Sequence, residues 1–207
     1  MSLARVNLNG LLDQRRVWRG RAVQAPSAEA AQPTGHAALD ACLPAGGWPP
    51  AALTELLLAA PGCGELQLLW PSLARLTAEG ERVVLVAPPW VPYPQAWQAA
   101  GVVLEHLSWV RASAKEALWA TEQCLRSGSC GAVLCWPGQA DDRALRRLQV
   151  AAETGHTLAF ALRDQQAALN PSPAALRLAI DAQPAQWRVL KCRGGRAPAQ
   201  PIAWPAA

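Results

Sequence analysis

Residues 53–76 read LTELLLAAPGCGELQLLWPSLARL, and this stretch decides the fold class. The run at 53–58 is short and apolar, which is typical of a buried strand, whereas residues 65–79 follow a helical pattern. PGCG stands just before the helix, and its glycines permit a tight turn. A strand, a tight turn and a helix in this order predict the first unit of a parallel α/β sheet.

The rest of the core repeats this alternation. We predict further strands at 82–87, 102–108, 131–136, 157–162 and 187–192, and further helices at 94–100, 114–127 and 141–154. Asp141 or Asp142 can cap the last helix, and Gly155 follows its end. Pro71 interrupts the helix at 65–79 and predicts a bend or a break near Trp70. The fold class is therefore α/β, with a mostly parallel sheet flanked by helices and right-handed crossovers.

The 207-residue chain is predicted to form one compact domain with looser ends. Residues 1–20 contain an amphipathic pattern that predicts a short docking helix at 3–19, and its buried side would carry Leu3, Val6, Leu11, Leu12 and Val17 or Trp18. Residues 21–33 are rich in Ala and Pro and predict a flexible linker. The core domain is assigned to 34–193, and GGRAPAQPIAWPAA at 194–207 predicts an extended tail.

Composition excludes several classes of function. The six cysteines form no CxxC pair and the three histidines are far apart, so we expect reduced core thiols and no metal site. No run of eighteen apolar residues occurs, and the first twenty residues carry charges where a signal peptide is apolar. We therefore expect a cytoplasmic protein that does not contact the membrane. The net charge of +4 is modest and suits an acidic partner without requiring one.

The turn after the first strand lacks the groups that bind nucleotide phosphates. A phosphate-binding loop needs glycines, a lysine for the terminal phosphate and a Ser or Thr for magnesium. Gly62 and Gly64 fit, but Glu65 stands where a cation is needed, and a carboxylate repels phosphates. Cys135 and Trp136 stand at the end of another strand, where a magnesium-side acid would be. We predict degenerate Walker motifs, no catalytic residue and no cofactor.

Two other interpretations of this turn stay open. PGCG can be a plain strand-to-helix turn, with Glu65 a favourable charge at the positive end of the helix. Alternatively, the protein is a residual ATPase whose missing cation comes from elsewhere in the chain. Arg75 and Arg82 are the nearest sequence candidates for that cation, and both are poorly placed.

Residues 34–56, TGHAALDACLPAGGWPPAALTEL, resemble the beginning of the RecA core, where a TG…LD…L…GG…P…E pattern leads into the first strand. The matching positions are Thr34, Gly35, Leu39, Asp40, Leu43, Gly46, Gly47, Pro49 and Glu55. The resemblance continues to about residue 193 and implies a RecA-like P-loop core. The stretches after 136 and after 154 are too short for the long DNA-binding loops of RecA, so we expect no strand exchange.

The chain is similar to the ImuA family in three respects: these departures from the RecA pattern, the opening VWRGR and the loop PGCGELQLLWPSLARL. These are RecA-like accessory proteins of damage-induced (SOS) mutagenic translesion DNA synthesis, distantly related to SulA. The resemblance implies contacts with an ImuB-type polymerase-like adaptor, an error-prone replicative-type DNA polymerase and RecA, and an indirect relation to DNA. The alternative that it leaves open is a SulA-like inhibitor of cell division that binds FtsZ.

Arginine and tryptophan dominate the energetics of protein interfaces, and the excess positive charge of this chain is concentrated near its two ends. Our candidates for partner binding are Arg15, Arg16 and Trp18 near the start and Arg188, Lys191 and Arg193 near the finish. Tryptophans in terminal or loop-like segments are further candidates, namely Trp90, Trp187 and Trp204. The remaining tryptophans are expected to pack in the core; they include Trp48, Trp70, Trp97, Trp119 and Trp136.

Overall fold

The computed structural model describes residues 32–204. The helix predicted within 1–20 and nearly all of the linker predicted at 21–33 lie outside the described residues, and so do Arg15, Arg16 and Trp18. The strands are β1 (Leu53–Leu58), β2 (Val83–Val86), β3 (Leu107–Val110), β4 (Ala132–Cys135), β5 (Leu158–Asp164), β6 (Leu176–Ala182), β7 (Ala185–Cys192) and β8 (Ile202–Ala203). The helices are α1 (Ala37–Asp40), α2 (Glu65–Ala78), α3 (Pro94–Ala99), α4 (Ala114–Arg126) and α5 (Asp142–Gly155), with 3₁₀ turns at Leu104–His106 and Gln165–Leu169.

The strands form one mixed sheet in the order β3-β2-β4-β5-β1-β6-β7-β8. The first six strands in this order run parallel, and β7 pairs antiparallel with both β6 and β8. The prediction of an α/β fold with a mostly parallel sheet is therefore confirmed. β1 lies between β5 and β6 with all six residues buried, which places its carboxyl end in the middle of one sheet edge.

Helices cover both faces of the sheet. On one face, Leu69 and Leu73 of α2 pack with Leu56 of β1. On the other face, α4 and α5 contribute apolar side chains that pack with Leu53. Leu53 and Leu56 lie on opposite faces because side chains alternate along a strand. Both faces of the central strands are covered, which explains why their sequences read as continuous apolar runs.

Most predicted boundaries differ from the structure by one or two residues, and the prediction at 102–108 was wrong. That stretch contains the 3₁₀ turn, and β3 begins only at Leu107. Two strands, β6 and β8, were not predicted from the sequence. The segment predicted as an extended tail returns to the sheet, because Ile202 and Ala203 pair with Trp187 and Gln186 of β7.

The proposed helix signals had mixed outcomes. Asp141 does cap α5, since its Oδ1 accepts a hydrogen bond from the Ala144 N–H at 2.7 Å. The left-handed residue after α5 is His156 at φ 50°, not Gly155, which belongs to the helix. Pro71 does not break α2, which is continuous from Glu65 to Ala78.

A buried ion cluster joins three elements at the centre of the sheet. Glu55 of β1 is fully buried, and its Oε1 accepts a hydrogen bond from Arg163 Nη1 at 2.6 Å. Arg177 Nε lies 2.8 Å from Glu55 Oε2, an ionic contact outside hydrogen-bond geometry. The two arginines also donate to the carbonyls of Ala140 and Ala167, and so they fix the segments that follow β4 and β5.

Candidate functional site

The turn predicted to carry degenerate phosphate-binding chemistry lies where the sequence analysis placed it. Residues 59–64 leave the carboxyl end of β1 and lead directly into α2. Gly62 has φ 81° and Gly64 has φ 106°, conformations that favour glycine. Cys63 is buried between them, and its thiol donates to the Ile180 carbonyl of β6 at 3.7 Å. In a parallel α/β sheet this is the position where ligands usually bind.

The turn is occupied by a side chain of the protein itself. Glu65 Oε1 accepts a hydrogen bond from the Gly62 N–H at 2.8 Å, so this amide points at a carboxylate of its own chain. Glu65 is buried, and its Oε2 has no hydrogen-bond partner among the described residues. Its charge lies in the first turn of α2, where the helix dipole stabilises an anion. The plain-turn interpretation of Glu65 matches this geometry.

The carboxy-terminal tail closes the same turn from outside. A Cβ atom at Gly64 would lie 2.0 Å from Trp204 Cη2, so any other residue at 64 would collide with that indole. Trp204 in turn lies 6.3 Å from Trp187 between ring centroids, and Trp187 packs edge-on against His36 at 4.6 Å. The tail therefore links the turn to β7 and to the beginning of the core.

Neither of the two arginines named as candidates lies where it could replace the missing lysine. Arg75 lies ten residues beyond Glu65, about 15 Å along the α2 axis, and it binds Gln32 and Glu79. Arg82 precedes β2 at the opposite end of the sheet and donates to Ser108. At the end of β4, Cys135 is fully buried, and burial raises the pKa of its thiol to about 12. It is therefore a neutral packing residue.

The residues that resemble the beginning of the RecA core hold this site together. Asp40 Oδ1 accepts the Thr34 N–H at 2.9 Å and so closes the turn before α1. Trp48 is fully buried and donates through Nε1 to Ser72 of α2 at 2.8 Å. A Cβ at Gly35 would lie 2.2 Å from Pro71 Cβ, so glycine is required for this contact. The segment therefore fixes α2 behind the turn.

An exposed aromatic surface lies elsewhere on the same sheet edge. In the loop after β2, 71% of Trp90 and Val91 and 64% of Tyr93 are exposed. β3 lies next to β2 in the sheet. At its carboxyl end, Arg111 Cζ lies 4.4 Å from the centroid of the Trp109 ring. We call Trp90, Val91 and Tyr93 the aromatic surface. The sequence analysis named Trp90 and missed the other two, although PPWVPYP at 88–94 signals a rigid, exposed loop.

The other predicted tryptophan positions are partly wrong. Trp187 is only 2% exposed and Trp204 packs on Gly64, so neither offers a free surface. Trp119 was expected in the core but is 62% exposed on α4. Trp48 and Trp97 are buried as expected, and Trp70 and Trp136 pack partly buried against the core.

The carboxy-terminal cationic candidates all lie in or just after β7, and each is already engaged. Arg188 donates through Nε to Asp181 at 2.8 Å. Lys191 donates to the Ser172 carbonyl at 2.7 Å, and Arg193 donates to the Pro173 carbonyl at 3.2 Å. Burial lowers the pKa of Lys191, and the positive charges of Arg193 and Arg177 lower it further. The negative charges of Glu55 and Asp142 act on the same pKa in the opposite direction, so charges of both signs surround Lys191.

Several expected features can be compared directly with the structure. The six cysteines are unpaired thiols, of which three are buried and three are partly exposed; the buried ones are Cys63, Cys130 and Cys135. The described residues contain no group of His, Cys, Asp or Glu side chains that could hold a metal ion. Within residues 32–204, no helix combines the length and apolar character needed to cross a membrane.

The fold and this site define an α/β protein whose strand-to-helix turn is closed by its own side chains. No protein-family model matches the chain, and no match to a curated protein was found. Among solved structures, the chain is similar to SulA from Pseudomonas aeruginosa, at 25% sequence identity and a TM-score of 0.46. That match covers 53% of this chain and 96% of SulA.

Proposed function

We propose that the protein is a RecA-like accessory factor of damage-induced mutagenic translesion DNA synthesis and acts by binding proteins, not by catalysis. The observation that carries this proposal is the hydrogen bond from the Gly62 N–H to Glu65 Oε1. A nucleotide phosphate would need that amide and would meet a buried carboxylate beside it, which is an unfavourable exchange. The core is a RecA-like P-loop domain with degenerate Walker motifs, and it serves as a scaffold.

The partners in this proposal are an ImuB-type adaptor, an error-prone replicative-type polymerase and RecA. They come from the resemblance to the ImuA family, which rests on the departures from the RecA pattern, on the opening VWRGR and on the loop PGCGELQLLWPSLARL. The aromatic surface suits a protein partner because exposed tryptophan and tyrosine side chains supply large contact areas at low entropic cost. Lys191 and Arg193 at the end of β7 provide a second contact region for an acidic partner, which would compete for their hydrogen bonds to backbone carbonyls.

The test is a pull-down of the tagged full chain from DNA-damaged cells, with quantitative mass spectrometry of the retained proteins. We expect RecA, the ImuB-type adaptor or the polymerase to be retained. Trp90→Ala with Tyr93→Ala should reduce retention at least about thirtyfold, since interface hot spots contribute 2 kcal/mol or more. Trp119→Ala is the matched control, because it removes an equally exposed tryptophan from α4.

Other outcomes have definite meanings. Retention of none of the three partners would refute the translesion proposal. Retention of FtsZ without them would instead support a SulA-like inhibitor of cell division, which would use the same non-catalytic core. If the variant with both Trp90→Ala and Tyr93→Ala retained the partners unchanged, the contact with them would lie outside the aromatic surface. Binding of magnesium ATP in calorimetry would refute the closed-turn argument.

A further inference from the structure

A groove of about 360 Å³ lies at the amino end of β1, at the opposite end of the sheet from the closed turn. One wall comes from the loop at 43–52, and the other comes from the end of α5 and the end of β7. Its volume is in the range of binding pockets and admits several apolar side chains. The residues that determine its chemistry are Pro44, Pro49, Pro50, His156, Cys192 and Arg193.

The walls of the groove favour an apolar occupant. The three prolines have no amide N–H, so the loop wall offers few donors to an anion or a polar ligand. The charged pair on the other wall, Glu153 and Arg193, lies 3.7 Å apart, and both side chains are more than half exposed. These two charges mark the rim and leave the interior to apolar groups.

The described chain begins at the rim of this groove. The Gln32 carbonyl accepts the Trp48 N–H at 2.7 Å, and it would lie 2.2 Å from a Cβ at Gly47, which lines the groove. The chain therefore enters the described core beside the groove. At the other end of the described residues, Trp204 lies against Gly64, on the far side of the sheet.

We propose that residues 3–19 dock into this groove through the apolar side that includes Leu11 and Leu12. Residues 20–31 form a twelve-residue connection that can span up to about 40 Å, whereas the rim is adjacent to Gln32. Such a tether gives a local concentration of about millimolar, so a modest contact suffices. The groove would take apolar side chains of this segment. This inference does not depend on the proposed function.

The first test places a photoreactive benzophenone amino acid at position 12 of the full chain. After irradiation, the crosslinked peptides are identified by mass spectrometry. We expect crosslinks within one chain to residues 43–52 or to the peptide that contains Cys192. Crosslinks that join two chains would overturn the proposal in favour of a second copy as occupant. Crosslinks to any other surface would also overturn it.

The second test uses the Cys192 thiol, which lines the groove, as a reporter. Leu11→Asp with Leu12→Asp should accelerate its alkylation about tenfold, the ratio that 1.4 kcal/mol of docking free energy gives. The matched control is Asn7→Asp with Asn9→Asp, which adds the same charge to polar positions and should change nothing. Equal rates in the two variants would refute the proposal.

Cys124 on α4 serves as an internal reference, because it does not line the groove and burial raises its pKa to about 11. Its alkylation should be the same in every variant. Acceleration at Cys124 as well as Cys192 would mean that the aspartate variant has loosened the whole fold. In that case the crosslinks of the position-12 protein, which contains no aspartate substitution, decide whether the segment docks into the groove.

Discussion

Replacing Glu55 by Gln should destabilise the protein strongly. The substitution keeps the volume of the side chain and removes only its charge, which leaves Arg163 and Arg177 as buried, uncompensated cations. Breaking a buried ion pair in this way costs about 3–5 kcal/mol. For a domain of this size, each kcal/mol shifts Tm by about 2–4 °C, so Tm should fall by about 6–20 °C.

Thermal unfolding followed by circular dichroism measures this effect directly. Glu79→Gln is the control, because Glu79 pairs with Arg75 at 3.4 Å on the surface of α2, where such a pair contributes about 0.5 kcal/mol or less. The same chemical change should therefore shift Tm by no more than about 2 °C. If Glu55→Gln and Glu79→Gln gave equal shifts, the argument that Glu55 neutralises two buried arginines would be wrong.

Three further predictions concern other parts of the molecule. Trp204→Ala should cost about 2 kcal/mol in urea unfolding, roughly half the cost for a fully buried tryptophan, and an unchanged midpoint would show that the tail contributes nothing. Arg188 holds the pKa of Asp181 below its ordinary value through hydrogen bonds, so this contribution to stability is present above about pH 4 and lost as the pH falls through the lowered pKa. Arg188→Ala should raise the pKa of Asp181 in an NMR titration, and an unshifted value would contradict the role of the ion pair. Cys135 should resist alkylation at pH 8, since its pKa is about 12, and rapid labelling would show that β4 opens.

The central sheet could be predicted from the sequence because its strands are continuous apolar runs between turn signals. β6 could not, because Arg177 interrupts LRLAIDA and reads as a surface residue. Its charge is neutralised by Glu55, which is 122 positions earlier in the chain, and no local pattern shows such a pairing. β8 is only two residues long and exists because β7 offers an edge.

The candidate site was predictable in its position but not in its contacts. The missing lysine and the carboxylate at 65 are visible in the sequence. The hydrogen bond from Gly62 to Glu65 is a local contact over three positions, but residue types alone do not show it. The cover of Gly64 by Trp204 depends on tertiary packing over 140 positions. Exposure of Trp90 could be argued from its loop. Exposure of Trp119 follows from the side of α4 on which it lies, away from the buried Ala117 and Thr121, and the residue type alone does not show this.

The closed turn at Gly62–Glu65 has a consequence for how this protein can change over generations. A lysine at 65 alone would remove the carboxylate and its hydrogen bond to the Gly62 amide but would leave Trp204 against Gly64. Loss of Trp204 alone would uncover the turn while the repelling carboxylate remained. Each single substitution therefore removes one of two obstacles and also one contact that stabilises the fold. A change of this turn towards phosphate binding would have to pass through a less stable protein that still carries the other obstacle.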